Sequence, residues 1–466
     1  MSTTKHLLAL ALGACLTAQV SAQESLIDIY QRALTNDPAI REAEATYFAT
    51  AEVKPQARSA LLPTLSLGAS RRHSFSDIRG SGVADPVTGT AAGRQQRDLD
   101  SQGYTVSLTQ SVFNWSQYKT LKQADKQVVR AETDFKAAQQ DLILRVATAY
   151  FLVLGAEDNL ASAVAQRDSV SRQLEQANRR FEVGLIAITD VQQSKAGYDD
   201  AVAVEIDQQR SLSTAYELLR EIIGEIVQDL AAPTDELPLL TPDPANEDEW
   251  VRAALDSNLA LQSSRLAADV ANDQIAIEKG NRLPELSLSA NYNDDTQDVV
   301  STLFRVPVTG GDPVPISVPS RQLPQGDSWS LNLTFPIFTG GLNRSRVQQS
   351  VYRHRVAQET LERIARQTER QTRDAYLGVI SEIARVRALR QSVESNRTAL
   401  RATEAGFEVG TQTTVDVLAA QRLLRVAETS YSRSRYDYML NLLRLKQAAG
   451  DLSETDVQQI DGWLQQ

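Results

Sequence analysis

Little in this chain suits it to covalent chemistry. Its 466 residues include one cysteine, three histidines and two methionines. The cysteine, Cys15, lies in a leader-like N-terminus, so a chain trimmed of that leader has neither a disulfide nor a thiol nucleophile. His73 falls in a segment read as a loop and His354 among helix charges ("VYRHRVAQ"), and both are read as solvated surface. No nucleophile, phosphate-loop or metal-ligand constellation accompanies them, so no enzyme, cofactor or metal site is expected. Positive charge is in deficit too. The 48 Lys and Arg face 59 Asp and Glu, a formal −11, which argues against a nucleic-acid partner.

Two further absences shape the fold. No window beyond residue 22 approaches ~18 consecutive apolar residues, so no membrane-spanning helix is predicted. That leaves a soluble protein or a membrane β-barrel, whose alternating strands escape hydropathy averaging. Proline is missing from 87–232 and again from 337–466. An interior proline costs a helix about 3 kcal/mol, so both spans are free to be helical over great length. Apolar residues there recur at 3–4 spacing: Val146, Ala149, Val153, Ala156, Leu160 and Ala163, then Val379, Ile383, Val386, Leu389, Val393 and Leu400. Runs from Trp115 to Phe181 and from Leu342 to Phe407 would each reach on the order of 100 Å at about 1.5 Å per residue, a length suited to a tube or fibre.

What is present begins with "MSTTKHLLALALGACLTAQVSAQ". A basic start at Lys5, an apolar run from Leu7 to Leu16 and small residues at Val20-Ser21-Ala22 predict a signal peptide, residues 1–22, cleaved after Ala22. A second reading takes "LGAC" as a lipoprotein site that leaves Cys15 lipidated; the short apolar stretch before it favours the first.

The remainder repeats itself. "RFEVGLIAITDV" (180–191) matches "GFEVGTQTTVDV" (406–417), "LPTLSLGA" (62–69) matches "LPELSLSA" (283–290), and "ALTNDPAI" (33–40) matches "ALDSNLAL" (254–261). Two structural repeats, 23–230 and 250–466, are predicted around a linker at 231–249 that holds four prolines. Each repeat carries a period-two region, a hairpin at about 62–113 and another at about 283–338. Leu65, Leu67 and Ala69 share one face, as do Tyr104, Val106, Leu108 and Val112. Leu286, Leu288, Ala290 and Tyr292 repeat the pattern, followed by Trp329, Leu331, Leu333, Phe335 and Ile337. Four segments of about ten residues suit tilted membrane strands, and Phe113, Trp115 and Phe338 stand where an interfacial aromatic girdle belongs. The stretches 71–103 and 293–328, rich in Gly, Pro, Ser and Asp, read as outer loops. Four strands cannot close a membrane barrel alone, so the chain is expected to assemble around an axis.

At the two repeated turns, Gly184 and Gly410 let the chain reverse between helices. Val183, Leu185 and Val409 flank them as small apolar seats. Thr189 with Gln192, and Thr413 with Asp416, fit the capping boxes of the helices that follow.

These motifs, with "ESLIDIYQRALTNDP", "FPIFTGG" and "VGTQTTVDVL", resemble the TolC-like outer membrane channel family over nearly all of the chain after the signal. The resemblance implies a mainly α fold with a membrane β part. It implies a homotrimer, a twelve-stranded outer membrane β-barrel with four strands per chain, continuous with a long periplasmic α-helical barrel. It implies export of drugs, other small toxic compounds or secreted proteins, in partnership with a periplasmic adaptor and an inner membrane transporter, with outer membrane lipid around the barrel. Val183-Gly184-Leu185 and Val409-Gly410-Thr411 match the tips that meet the adaptor. Asp416 and Asp190 match the periplasmic gate, as does Gln173. Phe407 and Gln412 replace a family tyrosine and arginine, and Ala419 replaces a second gate aspartate. The alternative is a periplasmic helical-hairpin adaptor or structural protein without a pore.

Overall fold

The computed structural model describes residues 23–79, 84–85, 89–227, 229–234, 237–305 and 312–464. The predicted signal peptide, the Ala22 cleavage site and Cys15 lie outside them. The chain runs α1 (Leu26–Asn36), α2 (Pro38–Ala51), α3 (Val53–Ser59), β1 (Thr64–Arg79), β2 (Ala84–Asp85), β3 (Gly89–Phe113), α4 (Trp115–Glu182) and α5 (Ile188–Ile223). It then repeats the plan with α6 (Glu247–Ser257), α7 (Leu259–Gly280), β4 (Glu285–Arg305), β5 (Val314–Gln322), β6 (Gln325–Thr334), α8 (Leu342–Glu408), α9 (Thr414–Ala449) and α10 (Glu454–Asp461). The proline-free spans are the long helices: α4 has 68 residues and α8 has 67.

Even the helix breaks repeat. The carboxylate of Asp37 accepts from the Ala39 N–H at 3.2 Å between α1 and α2, and the amide of Asn258 accepts from the Leu261 N–H at 3.0 Å between α6 and α7. Each side chain satisfies a helix-start donor that would otherwise lack a partner.

Two compact units emerge, and each sequence half contributes to both. The first comprises the described parts of Met1–Thr46, Glu132–Ser263 and Glu362–Gln466; the second comprises Tyr47–Ala131 and Ser264–Leu361. In the first, the 3–4 stripes face inward. Val146, Ala149, Val153, Ala156 and Ala163 are buried, as are Val379, Ile383, Val386 and Val393, while Leu160, Leu389 and Leu400 are half-buried. Tyr150 meets Phe151 edge-on at 5.5 Å, and Phe151 stacks on Tyr436 at 5.7 Å. The segment between the repeats is knitted onto this core. The Tyr150 hydroxyl lies 2.7 Å from the Ala231 carbonyl and 3.1 Å from that of Glu24, and the Tyr438 hydroxyl accepts from the Leu240 N–H at 2.9 Å. Burial, reinforced by the Asp461 carboxylate, pushes the Tyr150 phenol well above its ordinary pKa, so it serves as a neutral donor.

The second unit carries an antiparallel sheet in the order β1-β3-β4, with β5 and β6 both pairing with β4. Its strands depart from the sequence reading. β1 has 16 residues, β3 has 25 and β4 has 21, so much of 71–103 and 293–328 is strand and not loop. The ladder explains this. Pairing runs unbroken from Thr64↔Thr109 to Arg79↔Arg94, which satisfies the backbone wherever the side chains are polar. The register shifts between Ser111 and Phe113, so Phe113, and not Val112, pairs with Leu286 on the apolar face. His73 lies in β1, its Nδ1 3.4 Å from Asp98 and 3.7 Å from Asp100. His354 is half-buried against the Ala268 carbonyl at 3.2 Å.

Removing the hydroxyl in Tyr150→Phe or Tyr438→Phe should cost about 1–2 kcal/mol each, since buried backbone groups lose their partner. Urea unfolding midpoints of the detergent-solubilised protein check this, with Tyr352→Phe, an exposed site, as the neutral control.

Candidate functional site

The two helical turns are built alike. At the end of α4 the Leu185 N–H donates to the Arg180 carbonyl at 2.9 Å and the Gly184 N–H to Phe181 at 2.9 Å. At the end of α8 the Thr411 N–H donates to the Gly406 carbonyl at 2.8 Å and the Gly410 N–H to Phe407 at 3.2 Å. This paired bonding needs a left-handed residue at the glycine, and φ is +74° at Gly184 and +82° at Gly410. Each turn thus pairs two of the last carbonyls of the ending helix and leaves its apolar neighbours facing outward. Val183, Leu185 and Val409 are 69%, 73% and 76% exposed, so the two turns present an apolar surface.

Each aspartate restarts the next helix. The Asp416 carboxylate accepts from the Thr413 N–H at 2.8 Å and the Thr413 hydroxyl at 2.6 Å, while the Thr413 hydroxyl accepts from the Asp416 N–H at 3.3 Å. The Thr413 side chain first, and its N–H second, hold this carboxyl below the usual range. In the first repeat the cap falls two residues earlier than Thr189 and Gln192 suggested. α5 begins after Ala187, and Asp190 accepts from the Ala187 N–H at 3.3 Å. Ala187 has no acceptor to offer in return, so that box is half formed.

The turns also meet each other. The Arg180 guanidinium stands over the Phe407 ring, 4.9 Å from its centre. Such a contact contributes about 0.5–1 kcal/mol when exposed. Gln173 is only 9% exposed, yet neither polar atom of its amide finds a partner among the described residues. Gln412 is exposed and lies against Gly406. Ala419 lines a groove of about 270 Å³ shared by α4, α5 and α9, together with Val415, Leu418, Arg422 and Arg425. Sequence reading missed Arg180, Arg422 and Arg425. Arg180 had one local signal, its place immediately before the repeated Phe181.

The sheet has two unlike faces. Leu65, Leu67 and Ala69 oppose Leu108, Val106 and Tyr104, and these oppose Ala290, Tyr292 and Asp294. Leu286, Leu288 and Ala290 then oppose Leu333, Leu331 and Trp329. This face is exposed, with Leu67 at 73% and Trp329 at 76%, and forms a contiguous apolar patch that water does not favour. The opposite face of the same stretch carries Thr64, Ser66 and Ser70, then Thr105, Ser107 and Thr109, Ser289, Asn291 and Asn293, and Ser328, Ser330 and Asn332.

Aromatics border the apolar face at both ends. Phe113 closes β3, Trp115 opens α4 with the Lys119 ammonium 4.9 Å from its ring, and Phe338 is 87% exposed between β6 and α8. At the far end Tyr104 and Tyr292 pack 6.2 Å apart beside Trp329, a second row that sequence reading placed on the face but did not recognise as a border. From Phe113 back to Tyr104 the strand runs about 30 Å at ~3.3 Å per residue, or about 23 Å along the normal after a ~40° tilt, close to the ~25 Å band of an outer membrane barrel. Among the described residues no helix is long and apolar enough to cross a membrane.

The family described as "Outer membrane efflux protein" matches residues 29–225 and 250–451, one match per repeat. The chain belongs to the outer membrane efflux protein family. It is 36% identical over 464 residues to the outer membrane protein TolC of Vibrio cholerae, covering 99% of each chain. It is 29% identical to the alkaline protease secretion protein AprF of Pseudomonas aeruginosa, covering 93% of this chain and 86% of the relative. Among solved structures, the Campylobacter jejuni CmeC outer membrane channel superposes with a TM-score of 0.73 at 15% identity, covering 99% of this chain and 96% of that one. The Vibrio cholerae outer membrane protein VceC gives 0.70 at 19% identity, covering 91% and 96%. This protein of the outer membrane efflux family therefore resides in the outer membrane, and its sheet is the part suited to lipid.

Thr413→Ala should remove the cap of α9 at about 1 kcal/mol, raising amide exchange at Asp416 and Val417 roughly fivefold. A lowered carboxyl pKa contributes stability above the unfolded value and loses it as pH falls through the folded value. Protection at these amides, corrected for the intrinsic rate that itself slows with acid, should therefore fall in wild type below about pH 4, and much less so in Asp416→Ala. Hydrogen-exchange mass spectrometry of the turn peptides reads both effects.

Proposed function

We propose that three copies of this chain form a channel-tunnel, an outer membrane exit duct for small toxic compounds or secreted proteins. The observation that carries the proposal is the sheet, with its exposed apolar face, aromatic borders and opposite face of small hydroxyls and amides. In a closed barrel the apolar face meets lipid and the hydroxyl face lines the lumen. β5 and β6 lie end to end along β4 and count as one, so β1, β3, β4 and that broken strand make four across, and three sheets supply twelve, wide enough for an open bore. The turns at Gly184 and Gly410 form the periplasmic tip, six to a trimer. Val183, Leu185, Val409 and Thr411 seat the helical hairpin of an adaptor that links the duct to an inner membrane transporter. This role would explain why such apolar residues stand exposed.

Asp416, Asp190, Gln173, Phe407 and Gln412 form the gate in this reading. Three copies of Asp416 would ring the axis and attract cations. Phe407 lacks a hydroxyl and Gln412 lacks charge, so charge-assisted ties are replaced by packing. The Arg180–Phe407 contact supports a closed state held in this way. Ala419 leaves one acidic ring where a second aspartate would have made two.

In planar bilayers the protein should conduct, and hexaamminecobalt added on the tip side should block it. Asp416→Ala should raise the half-blocking concentration at least about tenfold, as expected when a ring of like charge is removed. Unchanged block in that variant would overturn the ring assignment. Recovery of the protein in soluble periplasm, without heat-modifiable migration from outer membranes, would favour the pore-less hairpin instead.

A further inference from the structure

Charge in the sheet is sorted by face. The hydroxyl face carries no charged residue from Thr64 to Ser70 in β1 or from Ser111 back to Gly103 in β3. Beyond Tyr104 and Tyr292 the ladder continues outward, and charge returns on both faces. On the face continuous with the lipid side, cations have partners. Arg94 and Arg79 pair with Asp77 at 3.1 Å and 3.5 Å, Arg321 with Asp298 at 3.2 Å, and His73 lies beside Asp98 and Asp100; Arg71 is the exception. Asp294 and Asp327 add to the acids there, so that side is net acidic, like the chain as a whole.

The opposite face behaves differently. Arg72, opposite Ser101, and Arg97, opposite Ser76, are both exposed, and neither makes an ion pair among the described residues. Strand alternation places them on the face of Ser66 and Ser70, and the register from Thr64 to Arg79 is unbroken, so no bulge turns them outward. The acid nearest to them on this face is Asp295. It lies against Gly103, where its Oδ1 occupies the space a Cβ would take. Among the described residues, these two unpaired guanidiniums on the hydroxyl face of an acidic protein are the feature that neither pairing nor overall charge explains.

We propose that Arg72 and Arg97 form a basic collar at the outer mouth of the duct that attracts multivalent anions. This rests on the trimeric channel reading, in which three chains set six guanidiniums around the bore above an uncharged sleeve. Low-dielectric walls focus the field of such a ring, and arginine suits phosphate and carboxylate groups through its planar donors. The duct is then polar along its length, with the Asp416 ring at the tip and the collar at the mouth. Anionic solutes emerging through the sleeve meet an attractive exit, and anionic solutes outside can occlude it.

The test is planar-bilayer conductance with inorganic tripolyphosphate as the probe, added to one side at a time. From the outer side, tripolyphosphate should reduce wild-type conductance, and the block should weaken as salt rises. Arg72→Gln with Arg97→Gln should raise the half-blocking concentration at least about tenfold, as expected for loss of a charged ring. Arg72→Lys with Arg97→Lys should retain the block, and Asp416→Ala should leave it unchanged. Absence of outer-side block in wild type, or full block in the glutamine variant, overturns the collar. The wild-type result decides even if a variant fails to assemble. A protein that conducts without this block refutes the collar alone, whereas one that never conducts refutes the channel reading.

Discussion

Hydrocarbon offers no hydrogen bonds to a backbone, and that single constraint organises this protein. Every N–H and carbonyl that enters the bilayer must be paired within protein. The sheet meets the requirement in its interior, where β3 is paired on both sides, and fails at its margins. β1 is one edge, and β5 and β6 form the other, all of them exposed along their length. A chain with an apolar sheet face and two unpaired edges is incomplete in lipid, and further copies complete it without new sequence. The same constraint explains why no spanning helix is needed and why the face behind the apolar stretch can be polar and uncharged.

The helical turns answer a different demand, the reversal of long helices without loose ends. A glycine-centred turn pairs two of the last carbonyls of one helix, and an aspartate three residues past the N-cap satisfies a donor of the next. Duplication gave the chain this device twice, and the copies have diverged. The second box is complete through Thr413 and Asp416, while the first has only Asp190 acting on Ala187. Arg180 from one turn over Phe407 of the other joins them across the repeats.

Much of this was legible in the sequence because it is local. Proline-free spans and 3–4 stripes depend on neighbours within a few turns, and the long helices follow them closely. The apolar faces around Leu65 and Leu331 were readable by alternation alone. What escaped was decided at a distance. The stretch beyond Ser70 reads as loop by composition, yet a partner strand keeps it extended to Arg79. The bulge beside Val112 is a property of two strands, and no single-strand pattern reveals it. Thr189 looked like a cap because hydroxyls favour that position, but the turn closes on Ala187, set by the bonding around Gly184. The Arg180–Phe407 contact and the free Arg72 and Arg97 needed the register and the turns in place before they could be seen.

The central claim is that the two exposed sheet edges belong together, β1 of one copy beside β6 of the next. Cys15 is the one cysteine of the sequence, so in a Cys15→Ser background engineered thiols report without interference. Single chains carrying Ser66→Cys with Ser328→Cys, Ser330→Cys or Asn332→Cys would be oxidised in intact outer membranes and separated by size under denaturing conditions. The account predicts a covalent ladder ending at trimer for the pairing in register, lost on reduction. A product confined to monomer for all three pairs would contradict it.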